Sequence, residues 1–135
     1  DPAPINGSLD LILILPPWRC PTGRVYARFD ELGGACEEST PAEARVRALA
    51  TQGSVARTDP FNDLATPAID VVPELGEALR RVRDALHWPV HVTGSGSAMF
   101  TIAPSTSAAE ALARRVTQAT GLPAVATRTL ACGPP

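Results

Sequence analysis

Lysine is absent: all 12 basic residues of the chain are arginines. Without an ε-amino group, a Walker phosphate loop, Schiff-base chemistry and a lysine general base are all excluded from this chain. Basic charge is also in short supply, with a formal net charge of -2, so nucleic acid and anionic membrane are not expected partners. The longest apolar run, Leu11 to Leu15, falls far short of the ~20 residues a membrane span needs. No basic start precedes an apolar stretch at the amino end, where Asp1-Pro2-Ala3-Pro4 stands. A cytoplasmic location is therefore the expectation. Methionine occurs once, as Met99, and the chain opens on Asp1, which reads as a fragment or a processed product.

Cysteine is sparse and odd in number: Cys20, Cys36 and Cys132 include no C-x-x-C pair. A disulfide scaffold is not expected, and free thiols fit a reducing compartment. The two histidines, His87 and His91, stand four apart as a helical zinc pair would, but Pro89 lies between them and stops a helix. No metal site is expected. Asn6-Gly7-Ser8 matches the glycosylation pattern, yet Asn-Gly is also a common turn pair. What remains is a globular composition, 44% hydrophobic and 19% charged over 135 residues, the size of a single domain spanning residues 1–135.

Along the chain, Leu9 to Leu15 reads as a buried strand closed by Pro16-Pro17. Thr22 is expected to cap a helix carrying Val25, Tyr26, Phe29 and Leu32, ended by Gly33-Gly34. Thr40-Pro41-Ala42-Glu43 forms a capping box before a helix with Val46, Leu49 and Ala50 on one face and Gly53 at its end. A loop follows to Pro60. Helix resumes from Phe61, broken near Pro67 and Pro73, with Leu75, Ala78, Leu79, Val82 and Leu86 inward and Glu77 paired to Arg81 outside. Residues 89–93 and 98–103 flank Gly94-Ser95-Gly96-Ser97 as a hairpin. Ser107-Ala108-Ala109-Glu110 reads as a second capping box, opening a helix with Ala111, Leu112, Val116 and Ala119 inward. Gly121 ends it before a last strand, residues 123–130. Two β-α-β units joined through a hairpin predict the α+β class: a ferredoxin-like, four-stranded antiparallel sheet with helices packed on one face.

Two segments carry candidate chemistry. In Thr93-Gly94-Ser95-Gly96-Ser97 the glycines let backbone N–H groups converge on an anion, although an ordinary hairpin also needs glycines. Its length beyond the two-residue minimum suggests a backbone shaped for close approach. A β-branched side chain at Gly96 is accordingly expected to abolish activity while secondary structure survives. The second segment is the Pro-rich loop running into Pro21-Thr22-Gly23-Arg24-Val25-Tyr26. Thr22 and Tyr26 share a helix face there, with Tyr26 either a ligand platform or a core or boundary aromatic.

Taken together, strand-Pro-Pro-x-x-x-Pro-Thr-x-x-Val-Tyr, then Phe61-Asn62-Asp63-Leu64, then Val92-Thr93-Gly94-Ser95-Gly96-Ser97-Ala98-Met99-Phe100 resembles the carboxy-terminal half of a GHMP-family small-molecule kinase. The likeness runs from about Leu9 to Leu130, and the Pro-Thr-x-x-Val-Tyr and Asn-Asp-Leu segments point to the branch acting on a cytidyl substrate in isoprenoid precursor biosynthesis. It implies that Thr22 and Tyr26 lie on the nucleotide and cytidine side of a cleft, Tyr26 as a base-stacking aromatic. Gly94, Ser95, Gly96 and Ser97 match the third family motif, beside the phosphates. Asn62 and Asp63 match a segment read as structural, setting a helix start. The family's usual acidic residue after Asn-Asp-x is Ala65 here.

The resemblance further implies ATP and Mg²⁺ as cofactors, and an N-terminal domain bearing the lysine motif, the phosphate loop and the catalytic aspartate. None of these has a counterpart in this chain, which holds no catalytic residue of its own and is expected to be inactive alone. The alternatives are the C-terminal domain of another GHMP kinase, or a stand-alone ferredoxin-like module for ligand binding or dimerisation.

Overall fold

In the computed structural model, residues 7–34 and 41–130 are described, the side chains of residues 41 and 42 excepted. The apolar run at the start forms β1 (Asp10–Ile14), whose alternation sends Ile12 and Ile14 into the core, both fully buried. Beyond it come α1 (Thr22–Glu31), α2 (Pro41–Gln52), α3 (Ala65–Val71) and α4 (Pro73–Leu86). The hairpin β2 (His91–Val92) and β3 (Met99–Ala103), then α5 (Thr106–Thr120) and β4 (Ala124–Arg128), complete the chain. The sheet order is β2-β3-β1-β4, every neighbour antiparallel, which is the ferredoxin-like arrangement expected. Central β1 faces Met99 to Ala103 on one side and Ala124 to Arg128 on the other.

One core joins the sheet to its helices. Ile12, Ile14 and Met99 meet Leu75, Leu79, Val82 and Leu86 of α4 and Ala109, Ala113 and Val116 of α5. The small alanines let α5 lie close to both β1 and α4. Thr101, buried in β3, donates its hydroxyl to the Pro89 carbonyl, and Trp88 Nε1 donates to Ile102 O at 3.2 Å, fixing the segment that leads into β2. Gly53 and Gly121 end α2 and α5 in left-handed backbone, as expected.

Several local expectations are corrected. Thr22 is the first residue of α1 rather than its cap; Pro21 occupies that place and makes no side-chain cap bond. Of the apolar residues expected on α1 only Val25 is buried, while Tyr26 and Leu32, the residue just past the helix, are half exposed, because α1 meets the rest of the fold mainly along a seam against α3. Pro67 does not break a helix. It sits buried in the first turn of α3, where its missing N–H has no intrahelical acceptor to lose. Glu77 pairs with Arg80 at 2.6 Å, and Arg81 instead donates to the Thr120 carbonyl at 3.1 Å, tying α4 to the end of α5.

The cap of α5 is Ser105, whose Oγ accepts from Ala108 N–H at 3.2 Å. Packed against α4 and β1, the helix turns Ala109, Ala113 and Val116 inward and leaves Ala111 and Ala119 exposed. Val46 of α2 is exposed too, as the described residues of that helix form no part of the core. Thr40, the expected cap of α2, lies outside the described residues, as do Asn6, Cys36 and Cys132. Among the described residues no helix is long and apolar enough to cross a membrane. Leu15 and Val125 leave apolar surface exposed at one end of the sheet, so the buried strand expected over residues 9–15 is buried only in part.

The three chain segments that meet at the far end of β1 are clasped by charge. Asp10 accepts from Arg128 Nε at 3.0 Å and from Thr106 Oγ1 at 2.9 Å. These hydrogen bonds, led by that of Arg128, hold the Asp10 carboxyl below its ordinary range, and Arg80 does the same to Glu77.

Two measurements follow from this arrangement. Leu75→Ala is expected to cost about 2–5 kcal/mol, whereas Val46→Ala stays within about 0.5 kcal/mol, both read from urea midpoints. Because the Asp10 pKa is depressed on folding, its stabilisation is complete above the unfolded value and lost as pH falls through the folded one. Asp10→Asn should therefore lower the urea midpoint at about pH 7, and its difference from wild type should shrink as the pH falls below the ordinary carboxylate range.

Candidate functional site

Where β1 ends, buried Pro16 and exposed Pro17 turn the chain away from the sheet, since neither can continue a hydrogen-bonded ladder. The turn carries residues 18–21 past the β2–β3 loop to the start of α1. A cleft of about 550 Å³ opens there, lined by Trp18, Arg19, Cys20, Pro21, Thr22, Gly96 and Ser97. The two segments singled out from the sequence thus meet at one place, although 73 residues separate Thr22 from Ser95 in the chain. Their hydroxyls, Thr22 Oγ1 and Ser95 Oγ, lie 3.1 Å apart and share a hydrogen bond.

The glycine-serine loop is held from both sides. Thr93 N–H donates to Ala98 O at 2.9 Å and Gly96 N–H to Thr93 O at 3.0 Å, closing the turn on itself. Ser97 Oγ donates to the Trp18 carbonyl, fastening the loop to the Pro-rich segment. On the other side, Asn62 Nδ2 donates to Val92 O at 2.9 Å and Gly94 O at 2.8 Å. The N–H groups of Gly94, Ser95 and Ser97 donate to no acceptor among the described residues. Neither do those of Thr22 and Gly23, as expected for a first helical turn. Of these residues Thr22 and Ser97 line the cleft, together with Arg19, while Gly94, Ser95 and Gly23 stand outside its lining; an anion entering it would meet the positive end of the α1 dipole and the Arg19 guanidinium.

The two glycines have different reasons to be there. Gly94 has φ +55° and open space around it, so its backbone conformation alone favours glycine. At Gly96, φ is +80° and an added Cβ would lie 3.0 Å from Cys20 Sγ and 3.1 Å from Leu75 Cδ2. The close approach expected of this loop is thus made to the protein's own interior. A β-branched residue at Gly96 would disturb the fold as well as any chemistry, contrary to the expectation of an intact structure.

Tyr26 lies one turn along α1 from Thr22, half exposed and outside the lining of the cleft; it is not a core aromatic, and the boundary and ligand-platform readings both remain. The helix itself is anchored by buried Val25 and by Arg28, which donates to Asp70 of α3 at 2.8 Å. Burial raises the pKa of the Cys20 thiol, opposing formation of a nucleophilic thiolate. Sequence reasoning missed Trp18, Arg19 and Cys20 as lining residues and Asn62 as a tether. The first three have no motif of their own, and Asn62 was visible only as a helix-start residue.

Among the described residues no cluster of three or more His, Cys, Asp and Glu side chains is arranged to hold a metal. His87 ends α4 in left-handed backbone, and His91, on β2, donates from Nε2 to the Arg57 carbonyl at 2.8 Å. Gly94→Asn and Gly96→Asn separate backbone conformation from crowding, because asparagine tolerates positive φ. The first is expected to change stability by less than about 0.5 kcal/mol and the second to cost about 1–3 kcal/mol, measured by urea unfolding.

Comparison with known proteins matches this arrangement to a family. The sequence model of the GHMP kinases C terminal family matches residues 42–121. The 4-diphosphocytidyl-2-C-methyl-D-erythritol kinase of Caulobacter vibrioides (strain NA1000 / CB15N) is 33% identical over 121 residues, covering 85% of this chain and 40% of that protein. The enzyme of the same name from Thermobifida fusca (strain YX) is 33% identical over 114 residues, covering 83% of this chain and 37% of its own length. The chain therefore spans well under half of the curated relatives it matches. A crystal structure of 4-(cytidine 5'-diphospho)-2C-methyl-D-erythritol kinase superposes with a TM-score of 0.66 at 28% identity, over 91% of this chain and 43% of that one. Homoserine kinase from Cytophaga hutchinsonii ATCC 33406 shares the fold, with a TM-score of 0.59 at 14% identity over 96% of this chain and 43% of its own. With the family match covering more than half of the chain, and the glycine-serine loop standing against the Pro-Thr helix start, the chain belongs to the GHMP kinases, in the family of their C-terminal domains.

Proposed function

We propose that this chain is the C-terminal part of an ATP-dependent kinase acting on 4-diphosphocytidyl-2-C-methyl-D-erythritol, an intermediate of isoprenoid precursor biosynthesis. It would work beside an N-terminal domain that supplies the lysine, the phosphate loop and the catalytic aspartate missing here. The relatives' names and their greater length support this reading. The single observation that carries it is the convergence of the α1 start and the glycine-serine loop, joined through Thr22 and Ser95, on one cleft.

The residues present fit the phosphate groups of the cosubstrate. Phosphoryl transfer from ATP to an alcohol asks the protein mainly to position the partners and to stabilise negative charge on the equatorial oxygens. The Ser97 N–H in this cleft, and those of Gly94 and Ser95 beside it, would donate to phosphate oxygens, and the Arg19 guanidinium would offset their charge. Thr22 would hold the mouth of the cleft at a fixed width through its bond to Ser95. Tyr26, one turn further out, would offer its ring face to cytosine. The donor set does not fit Mg²⁺, because no carboxylate among the described residues lines the cleft, and no step in this chain is routed through that ion. Its ligands would come from the phosphates and the N-terminal domain. The cytoplasm is the compartment that suits this chemistry.

The test uses the full-length protein with ATP and the cytidyl substrate. Turnover of that substrate is expected, and Tyr26→Ala should weaken its binding by about 1–3 kcal/mol. The unfolding midpoint should move little, because Tyr26 is half exposed. Failure to phosphorylate the cytidyl substrate while another small alcohol is turned over would overturn the substrate assignment. Unchanged affinity in Tyr26→Ala would remove this residue from the site.

A further inference from the structure

We infer that Asn62 is a positioning residue for the phosphate side of the cleft, acting by locking the orientation of the Gly94–Ser95 peptide; the inference rests on the proposed function. Its amide is fully engaged. Both Nδ2 protons are used, on Val92 O at 2.9 Å and Gly94 O at 2.8 Å, while Oδ1 accepts from Leu64 N–H at 3.0 Å. One side chain thereby connects the turn before α3 to both carbonyls that flank Thr93.

The Gly94 carbonyl and the Ser95 N–H belong to the same planar trans peptide and point in opposite directions. Anchoring the carbonyl on Asn62 therefore turns the Ser95 N–H away from Asn62. Gly94, at φ +55° with nothing crowding its Cα, would otherwise let this peptide rotate at little cost. The bonds made by Thr93, Gly96 and Ser97 close the loop on either side of that peptide, and Thr22 holds the Ser95 hydroxyl, but none of these bonds holds the Gly94 carbonyl. Asn62 supplies the missing constraint, so that the Ser95 donor is oriented before an anion arrives and the entropy of ordering it is not charged against binding.

Asparagine suits both halves of the task, since aspartate could accept from Leu64 but would set its charge against two carbonyl oxygens. That difference provides the experiment. In the full-length protein, Asn62→Asp keeps the side-chain volume and the acceptor for Leu64 N–H while removing both donors. Within residues 93–97, amide hydrogen exchange at Thr93 and Gly96, the two hydrogen-bonded amides of the loop, should quicken, with α4 and β3 unchanged. Well above the variant's carboxyl pKa, kcat/KM for ATP should fall about tenfold, the scale of losing a hydrogen bond of this kind, with KM for the cytidyl substrate within about twofold.

Lowering the pH protonates the new carboxyl and returns one donor. The ratio of variant to wild-type kcat/KM for ATP should accordingly rise on the acid side, a response that simple loosening of the fold would not give. Should Asn62→Asp fail to fold, Asn62→Ser keeps an acceptor for Leu64 and serves for the exchange measurement. Unchanged exchange at Thr93 and Gly96 would overturn the inference, as would faster exchange with unchanged ATP constants. If the wild-type protein phosphorylates no cytidyl substrate, the proposed function fails. The exchange data then still decide whether Asn62 holds the loop, and a loss confined to KM for the cytidyl substrate would overturn its assignment to the phosphate side.

Discussion

The cleft exists because the backbone at Gly96 packs directly on Cys20 and Leu75, where a single added carbon would come within 3.0 Å of sulfur and 3.1 Å of a methyl group. That contact seats the β2–β3 loop against the segment leading to α1 and fixes the distance at which Thr22 and Ser95 share a hydrogen bond. Leu75 belongs to α4, so the loop rests on the same helix whose inner face fills the core. Core packing and cleft geometry are consequently one problem. Interiors this dense transmit small displacements rather than absorb them, and the width of the cleft follows from how α4 meets the sheet.

Electrostatics plays a local part, and arginine alone plays the basic side of it. Ion pairs such as Arg80 with Glu77 and Asp84, or Arg47 with Glu43, are well exposed and stabilise little. More is gained where the guanidinium fork reaches backbone. Arg83 donates twice to the Val90 carbonyl, at 3.2 and 2.7 Å, Arg81 reaches Thr120 O, and Arg45 reaches Thr58 O at 3.2 Å. Arg57 lies over the Trp88 ring, 3.8 Å from its centroid. A planar fork with several donors satisfies carbonyls and stacks on rings, which a lysine ammonium does less well. The absence of lysine thus has a structural counterpart: arginines tie helix ends and connecting loops to one another.

The same features shape the functional reading. Among the described residues that line the cleft there is no carboxylate. The cleft can present oriented donors and a rigid wall. The Ser97 N–H, the α1 terminus at Thr22 and Arg19 line the cleft, and oriented dipoles need no rearrangement when charge develops. Homoserine kinase shares this fold at only 14% identity, so the fold by itself does not choose a substrate; side chains such as Tyr26 would have to do so.

The order of strands and helices was legible in the sequence because each element rests on a local pattern. An apolar run stopped by prolines gave β1, helical spacing gave α4 with each of its expected inward residues buried, and glycines marked the ends of α2 and α5. The glycine-serine and Pro-Thr segments were recognisable for the same reason. Tertiary structure decided the rest. The cap at Ser105 rather than at a Ser107 box, and the pairing of Glu77 with Arg80 rather than Arg81, turn on one or two residues of phase that local pattern leaves open. The exposure of Val46 and Tyr26 depends on whether a neighbouring element arrives to cover them. Asn62 shows the limit most plainly: its bond to Leu64 spans two residues, but its bonds to Val92 and Gly94 span 30 and 32. Contacts within one turn are written into neighbouring residues; those between distant segments exist only after the core has brought the segments together.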